Sequence, residues 1–133
     1  MEIVRRAFEE FTRAGWEGLF ERFWAPDIIW DMSPAGIPGL GTYRGHQELR
    51  SFFEEDWFAA FPFKEWDQEV EDVIDCGGDR VVAIAFQRGH GGVSGASVEL
   101  EYIQVITLRD EKMVRVDTYL DRGRALEAAG LSE

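Results

Sequence analysis

The chain is short of the residues that build covalently or metal-held scaffolds. Its one cysteine, Cys76, has no partner for an internal disulfide, and with only two histidines no His/Cys spacing describes a zinc site, so neither metal nor other cofactor is expected. Basic residues are also scarce. Lys and Arg number 14 against 26 Asp and Glu, a net charge of -12 that argues against any partner held through its phosphates, whether nucleic acid or an anionic membrane face. The basic residues that do cluster form only short pairs, Arg5-Arg6 and Arg122/Arg124, as on an ordinary solvated helix. No apolar run approaches the roughly 20 residues of a membrane span. The N-terminal "MEIVRRAFEEF" is amphipathic and carries acids, unlike a secretory signal, so the expected location is cytoplasmic. The glycines of "GHGGVSG" do not make a phosphate loop: they lack the spaced lysine and lead into a strand rather than a helix.

What the chain has in excess is aromatic surface. Phe, Trp and Tyr make up 14% of 133 residues, with five Trp, which is more ring area than a core of this size needs and suggests a lined cavity. The length fits one domain, residues 1–133, with a single core.

Hydrophobic periodicity orders the elements. Ile3, Val4, Ala7, Phe8 and Phe11 fall at helical spacing, and Trp16, Leu19, Phe20 and Phe23 repeat the pattern, giving two short helices that meet at Gly15. Ala25-Pro26 is expected to close the second, since a proline disfavours helix in the residue before it. A strand over 27–32 follows, then the Pro/Gly-dense loop "SPAGIPGLGTYRG". A third helix begins near His46 with Leu49, Phe52, Phe53 and Trp57 on one side, and ends before "FPF". Strands come next. "EWDQEVEDVI" places Trp66, Val70 and Ile74 on one face and its acids on the other, "DCGGD" is a hairpin turn, and "RVVAIAFQRGH", "ASVELEYIQVITL" and "MVRVDTYL" complete the set, the last entered through "RDEK". Asp121 is placed to cap a final helix that runs to Ala129 and stops at Gly130. The order defines an α+β domain with helices on one face of a curved sheet.

This order, with "IIWDMSPAG", "YRGHQELRSFF" and "VRVDTYLDRGRALEAAGL", resembles the SnoaL-like branch of the NTF2-like superfamily over nearly the whole chain. The resemblance implies an NTF2-like cone: a curved, mostly antiparallel sheet wrapped around the N-terminal helices, a short C-terminal helix, a hydrophobic cavity at the wide end, and a homodimer. It implies a small hydrophobic molecule as partner, and activities that range from polyketide cyclase and ketosteroid isomerase to epoxide hydrolase and non-catalytic binding. "IIWDMSP" is similar to the isomerase segment that carries a proton-transferring aspartate, which maps onto Asp31. "RVDTYLD" resembles the hydrolase segment whose aspartate activates water, which maps onto Asp117. Three family residues are missing. The isomerase's oxyanion-stabilising Tyr falls on Phe8, and the hydrolase's Arg and Asp fall on Ala85 and Gln87.

Asp31 and Asp117 are thus the catalytic candidates, each with a second reading. Asp31 lies in a strand apolar on both faces, and is either a pocket carboxylate or the acceptor for the "SPAG" turn. Asp117 shares its face with Met113, Arg115 and Tyr119, and is either a pocket group or a solvated partner of Arg115. Two carboxylates in one cavity would repel, and burial would add to the effect, raising at least one pKa and dividing acid from base roles. The ligand-contact candidates are Trp16, Phe20, Trp30, Phe53 and Trp57 as rings, and His46, Arg88, Tyr102, Gln104 and Tyr119 as polar groups. Arg88 with His90 either binds a carbonyl or carboxylate at the mouth or meets the acidic strand as surface pairs. Tyr102 and Gln104, polar among Val98, Leu100 and Ile106, either bond a ligand or satisfy a dimer interface.

Overall fold

The structure, a computed structural model, describes residues 2–14, 18–36, 40–56, 63–91 and 97–130. Helix α1 (Glu2–Ala14) and the short α2 (Leu19–Arg22) come first, followed by strand β1 (Trp24–Asp31), a 3-10 turn (Ser33–Ala35), strand β2 (Thr42–Arg44) and helix α3 (Gly45–Ser51). A π-helical turn (Phe52–Asp56) extends α3, and the chain then forms β3 (Phe63–Asp75), β4 (Arg80–Gly91), β5 (Ser97–Arg109), β6 (Lys112–Tyr119) and helix α4 (Arg122–Ala128). The six strands form one curved sheet in the order β2-β1-β6-β5-β4-β3, antiparallel throughout except where β1 runs parallel to β6. No helix among the described residues is long and apolar enough to cross a membrane.

Two hydrophobic clusters lie on opposite faces of this sheet. The larger gathers Val4, Ala7 and Phe8 of α1, Leu19 and Phe20 of α2, Trp24, Ile28 and Trp30 of β1, Leu49, Phe52 and Phe53, and inward residues of β4, β5 and β6. The smaller joins Val82, Ile84, Ile103 and Val105 to Ala125, Leu126 and Ala129, so α4 covers part of the outer face. Asp121 caps α4 as expected, its carboxylate accepting from the Arg124 amide at 3.1 Å, and Gly130 ends it at a φ of 82° that suits glycine. The turn into β6 carries positive φ at both Asp110 and Glu111, as a two-residue hairpin with the right twist requires.

Three local expectations are corrected. Strand β1 begins at Trp24, not at residue 27, so Ala25-Pro26 interrupts no helix; Pro26 sits in a bulge where five steps of β1, Trp24 to Ile29, oppose two of β6, Met113 to Arg115. A proline has no amide to donate, and a bulge is where a strand tolerates that loss. The expected loop after β1 contains β2, which pairs Thr42 with Asp31 and Arg44 with Ile29. A register shift between Val70 and Asp72 splits the apolar face drawn for β3, since Val70 and Val73 pack on the inner cluster while Ile74 packs on the outer one. The Trp66 side chain lies outside the described residues.

Candidate functional site

The inner cluster does not close completely. Between the helices and the sheet lies an open-mouthed cavity whose empty space, counted together with the solvent at its mouth, is about 540 Å³. Its apolar wall comes from Ala7, Phe8 and Phe11 of α1, Leu19 of α2, Trp24 and Trp30 of β1 with Met32 just beyond, and Phe52 and Phe53. The rings hold one another in place. Trp24 stacks on Phe53 with centroids 5.4 Å apart and planes 4° from parallel, and Trp30 meets Phe53 edge-on at 5.6 Å. The Trp30 indole N–H donates to the Met32 Sδ at 3.2 Å, so this wall presents no free donor from that ring. The π-helical turn begins where α3 reaches the cavity and brings consecutive residues, Phe52 and Phe53, to its lining.

The sheet supplies a different surface. Gln87 of β4, Tyr102 and Gln104 of β5 and Thr118 of β6 line the same cavity with Met113. Gln87, Gln104 and Thr118, at 4%, 7% and 3% exposure, are all of the fully buried polar side chains among the described residues, so every one of them faces this space. Buried polar groups are costly unless bonded, and their concentration at one cavity is not what core packing alone would produce. The register explains how they fit. Ala83 and Ala85 of β4 stand opposite Gln104 and Tyr102, and their small side chains leave room for the larger pair, while Thr118 stands opposite Gln104 on the other side. Burial pushes the Tyr102 phenol far above its ordinary pKa, against the opposing pull of a hydrogen bond with Gln87. The hydroxyl therefore stays protonated and neutral.

Neither catalytic candidate is among the lining residues. Asp31 and Asp117 are register partners, but they occupy the strand face opposite Trp30 and Thr118. Asp31 accepts from the Ser33 amide at 2.9 Å, the Ser33 hydroxyl at 2.6 Å and the Thr42 hydroxyl at 3.0 Å, which is the turn-binding alternative. Arg115 places its Nε 3.0 and 3.1 Å from the two Asp117 oxygens and an Nη 3.7 Å from Asp31. The raised pKa expected of a shared acid pair is corrected for Asp31: burial does push its carboxyl up, but the Ser33 hydroxyl and amide, the Thr42 hydroxyl and Arg115 outweigh it and hold the carboxyl below its ordinary value. Met113 is corrected too. It turns to the cavity with Val116 and Thr118, because the β5/β6 register slips between Thr107 and Leu108.

The other candidates divide. Trp30, Phe53, Tyr102 and Gln104 line the cavity, whereas Phe20 is buried behind it, in edge contact with His46 at 4.9 Å. His46 Nε2 lies 2.9 Å from the Trp24 carbonyl, tying α3 to β1. Arg88 pairs with Glu99 at 3.2 Å and Glu69 at 3.4 Å on the outer face, the surface alternative. Tyr119 packs against the outer cluster, and its phenol is pushed up first by burial and then by Asp117 and Asp31. Trp16, Trp57 and the His90 side chain lie outside the described residues. On the outer face of the sheet α4 covers the smaller cluster, and Arg88, Arg115 and Arg122 each bridge two carboxylates. Leu120 is the exposed large apolar side chain among the described residues.

Sequence reasoning missed Gln87 and Thr118 as ligand contacts. The signal existed in "VVAIAFQ" and "VRVDT", where each is a polar residue in phase with buried neighbours, Ala83 and Ala85 in one case and Val116 in the other.

The fold and cavity define a helix-lined, curved-sheet domain, and the comparisons name its class. The sequence model of the SnoaL-like domain matches residues 4–116, and the chain belongs to that family. Among solved structures, an NTF2-like protein of unknown function from Burkholderia pseudomallei is 26% identical, with 96% of this chain and 94% of that one covered and a TM-score of 0.70. A SnoaL-like polyketide cyclase, so described without proof of activity, from a Jannaschia species is 23% identical over 96% of this chain and 88% of that one, at a TM-score of 0.70. TerC, co-crystallized with polyporic acid, is 23% identical over 97% and 96%, at 0.71. No curated protein matches the sequence.

Proposed function

We propose that this SnoaL-like protein binds a small, uncharged hydrophobic molecule that carries a carbonyl or hydroxyl group. The observation behind this reading is the division of the cavity: aromatic rings on one wall, and on the sheet a set of buried polar side chains that are all neutral at physiological pH. Rings offer a flat ligand stacking area, and a few fixed polar groups orient it. A carboxylate ligand would find no cation among the described lining residues, inside a chain of net charge -12. The isomerase or cyclase reading needs Asp31 or Asp117 as a base at the ligand, and the epoxide hydrolase reading needs Asp117 beside a water in the cavity. The described lining contains neither carboxylate, so geometry favours binding over both. Trp24 and Trp30 make the test direct, because a bound ring system changes their fluorescence. Titration with 2-acetylnaphthalene should give saturable quenching, and 2-naphthoate should bind at least about tenfold more weakly. Equal binding of the anion, or no saturable binding of any neutral naphthalene, would sink the proposal.

A further inference from the structure

The polar floor is not uniform in its hydrogen bonding. Gln87 and Tyr102 bond to each other. That bond leaves the Gln87 Oε1 atom buried without a partner, and the Thr118 Oγ1, a group that can donate as well as accept, is likewise buried in the cavity lining with no hydrogen-bond partner among the described residues. An unbonded buried hydroxyl costs folding free energy that a valine of the same shape would not, so its presence calls for a partner beyond the described residues, which a ligand in the cavity supplies. Gln104, its register partner on β5, puts a second neutral polar side chain at the same end of the floor. On the far side of Gln104 stands only Ala83, which contributes no polar atom of its own side chain.

We infer that Thr118 is the specificity-determining contact of the cavity, where its hydroxyl meets one neutral oxygen of an otherwise apolar ligand. The inference rests on the cavity being a ligand site, and it adds which end of the floor holds the ligand and which chemistry is selected there. A threonine hydroxyl donates to a carbonyl, and both donates to and accepts from a hydroxyl. It has no charge to offer an anion. With the oxygen at Thr118, the ligand body extends over Met113 and Met32 toward Trp24, Trp30 and Phe53, where apolar area is what the wall provides.

The test compares 2-acetylnaphthalene with its hydrocarbon isostere 2-isopropenylnaphthalene by tryptophan fluorescence, using wild type, Thr118→Val and Thr118→Ser. Wild type should prefer the ketone by roughly tenfold, the worth of one well-made buried hydrogen bond. Thr118→Val should abolish that preference by weakening the ketone alone, and Thr118→Ser should keep it. Hydrocarbon affinity unchanged in Thr118→Val shows that the cavity is still formed. If wild type binds both probes equally, or if Thr118→Val retains the preference, the assignment of Thr118 is overturned while the cavity reading stands. If wild type binds neither probe, both fall. Should Thr118→Val not fold, Thr118→Ala takes its place: loss of the ketone preference in the alanine variant with its persistence in Thr118→Ser supports the assignment, and a preference kept in Thr118→Ala overturns it.

Discussion

Asp31 and Asp117 stand opposite each other on the parallel strands β1 and β6, with Arg115 between their carboxylates, and the face they share is turned away from the cavity. The arrangement fastens the end of β1, its turn and β2 to the sheet. It places no acid at the ligand.

Asp31→Asn and Asp117→Asn should therefore leave the affinity for 2-acetylnaphthalene within about twofold of wild type. Asp31→Asn should lower stability by roughly 1–2 kcal/mol, since it weakens hydrogen bonds that a charged acceptor makes to Ser33 and Thr42. Urea unfolding and fluorescence titration read the two effects separately. A tenfold loss of affinity in either variant would return the carboxylates to the cavity.

The Asp31 carboxyl also sets an acid limb. Its folded pKa lies below the ordinary value of 3.8, so the unfolded chain takes up a proton there first. The stabilisation is full above that ordinary value and is lost as pH falls through the lower, folded one. Wild type should lose stability relative to Asp31→Asn on going from about pH 5 to about pH 3, measured as the difference in urea midpoints. A constant difference across that range would contradict the assignment.

Tyr102 acts in the opposite direction. Its pKa is raised in the folded state, so its contribution is full below the ordinary tyrosine value and declines as pH rises through the folded one. Tyr102→Phe should then match wild type in tyrosinate absorbance up to around pH 11, because the native phenol does not ionise there. It should also cost about 1–3 kcal/mol by stranding the Gln87 side chain in a buried site. A smaller tyrosinate signal in the variant would show that Tyr102 is open to solvent.

Phe53 carries the aromatic wall, with ring contacts to Phe11, Trp24, Trp30 and Phe52. Phe53→Ala should destabilise by about 3–5 kcal/mol, and Phe53→Leu by distinctly less, since leucine refills most of the space. Chemical denaturation measures both. A loss under 1 kcal/mol for the alanine would mean that the wall is not packed as described.

Much of this was legible in the chain itself. Spacing fixed α1, α3 and the long strands, and Asp121 and Gly130 marked the ends of α4. Alternation also paired Asp31 with Ile29 and set Trp30 with Met32. It did not say which of those faces the helices would cover. That was decided when α1 and the π-helical turn packed over Trp30 and Met32, leaving Asp31 to the turn and to Arg115. The bulge at Pro26 and the slips at Val70 and Thr107 moved other side chains across the sheet, because one added residue inverts every following face. A sequence specifies what each strand alternates between. Only packing of distant segments decides which side becomes a cavity, since that choice depends on contacts no single strand contains.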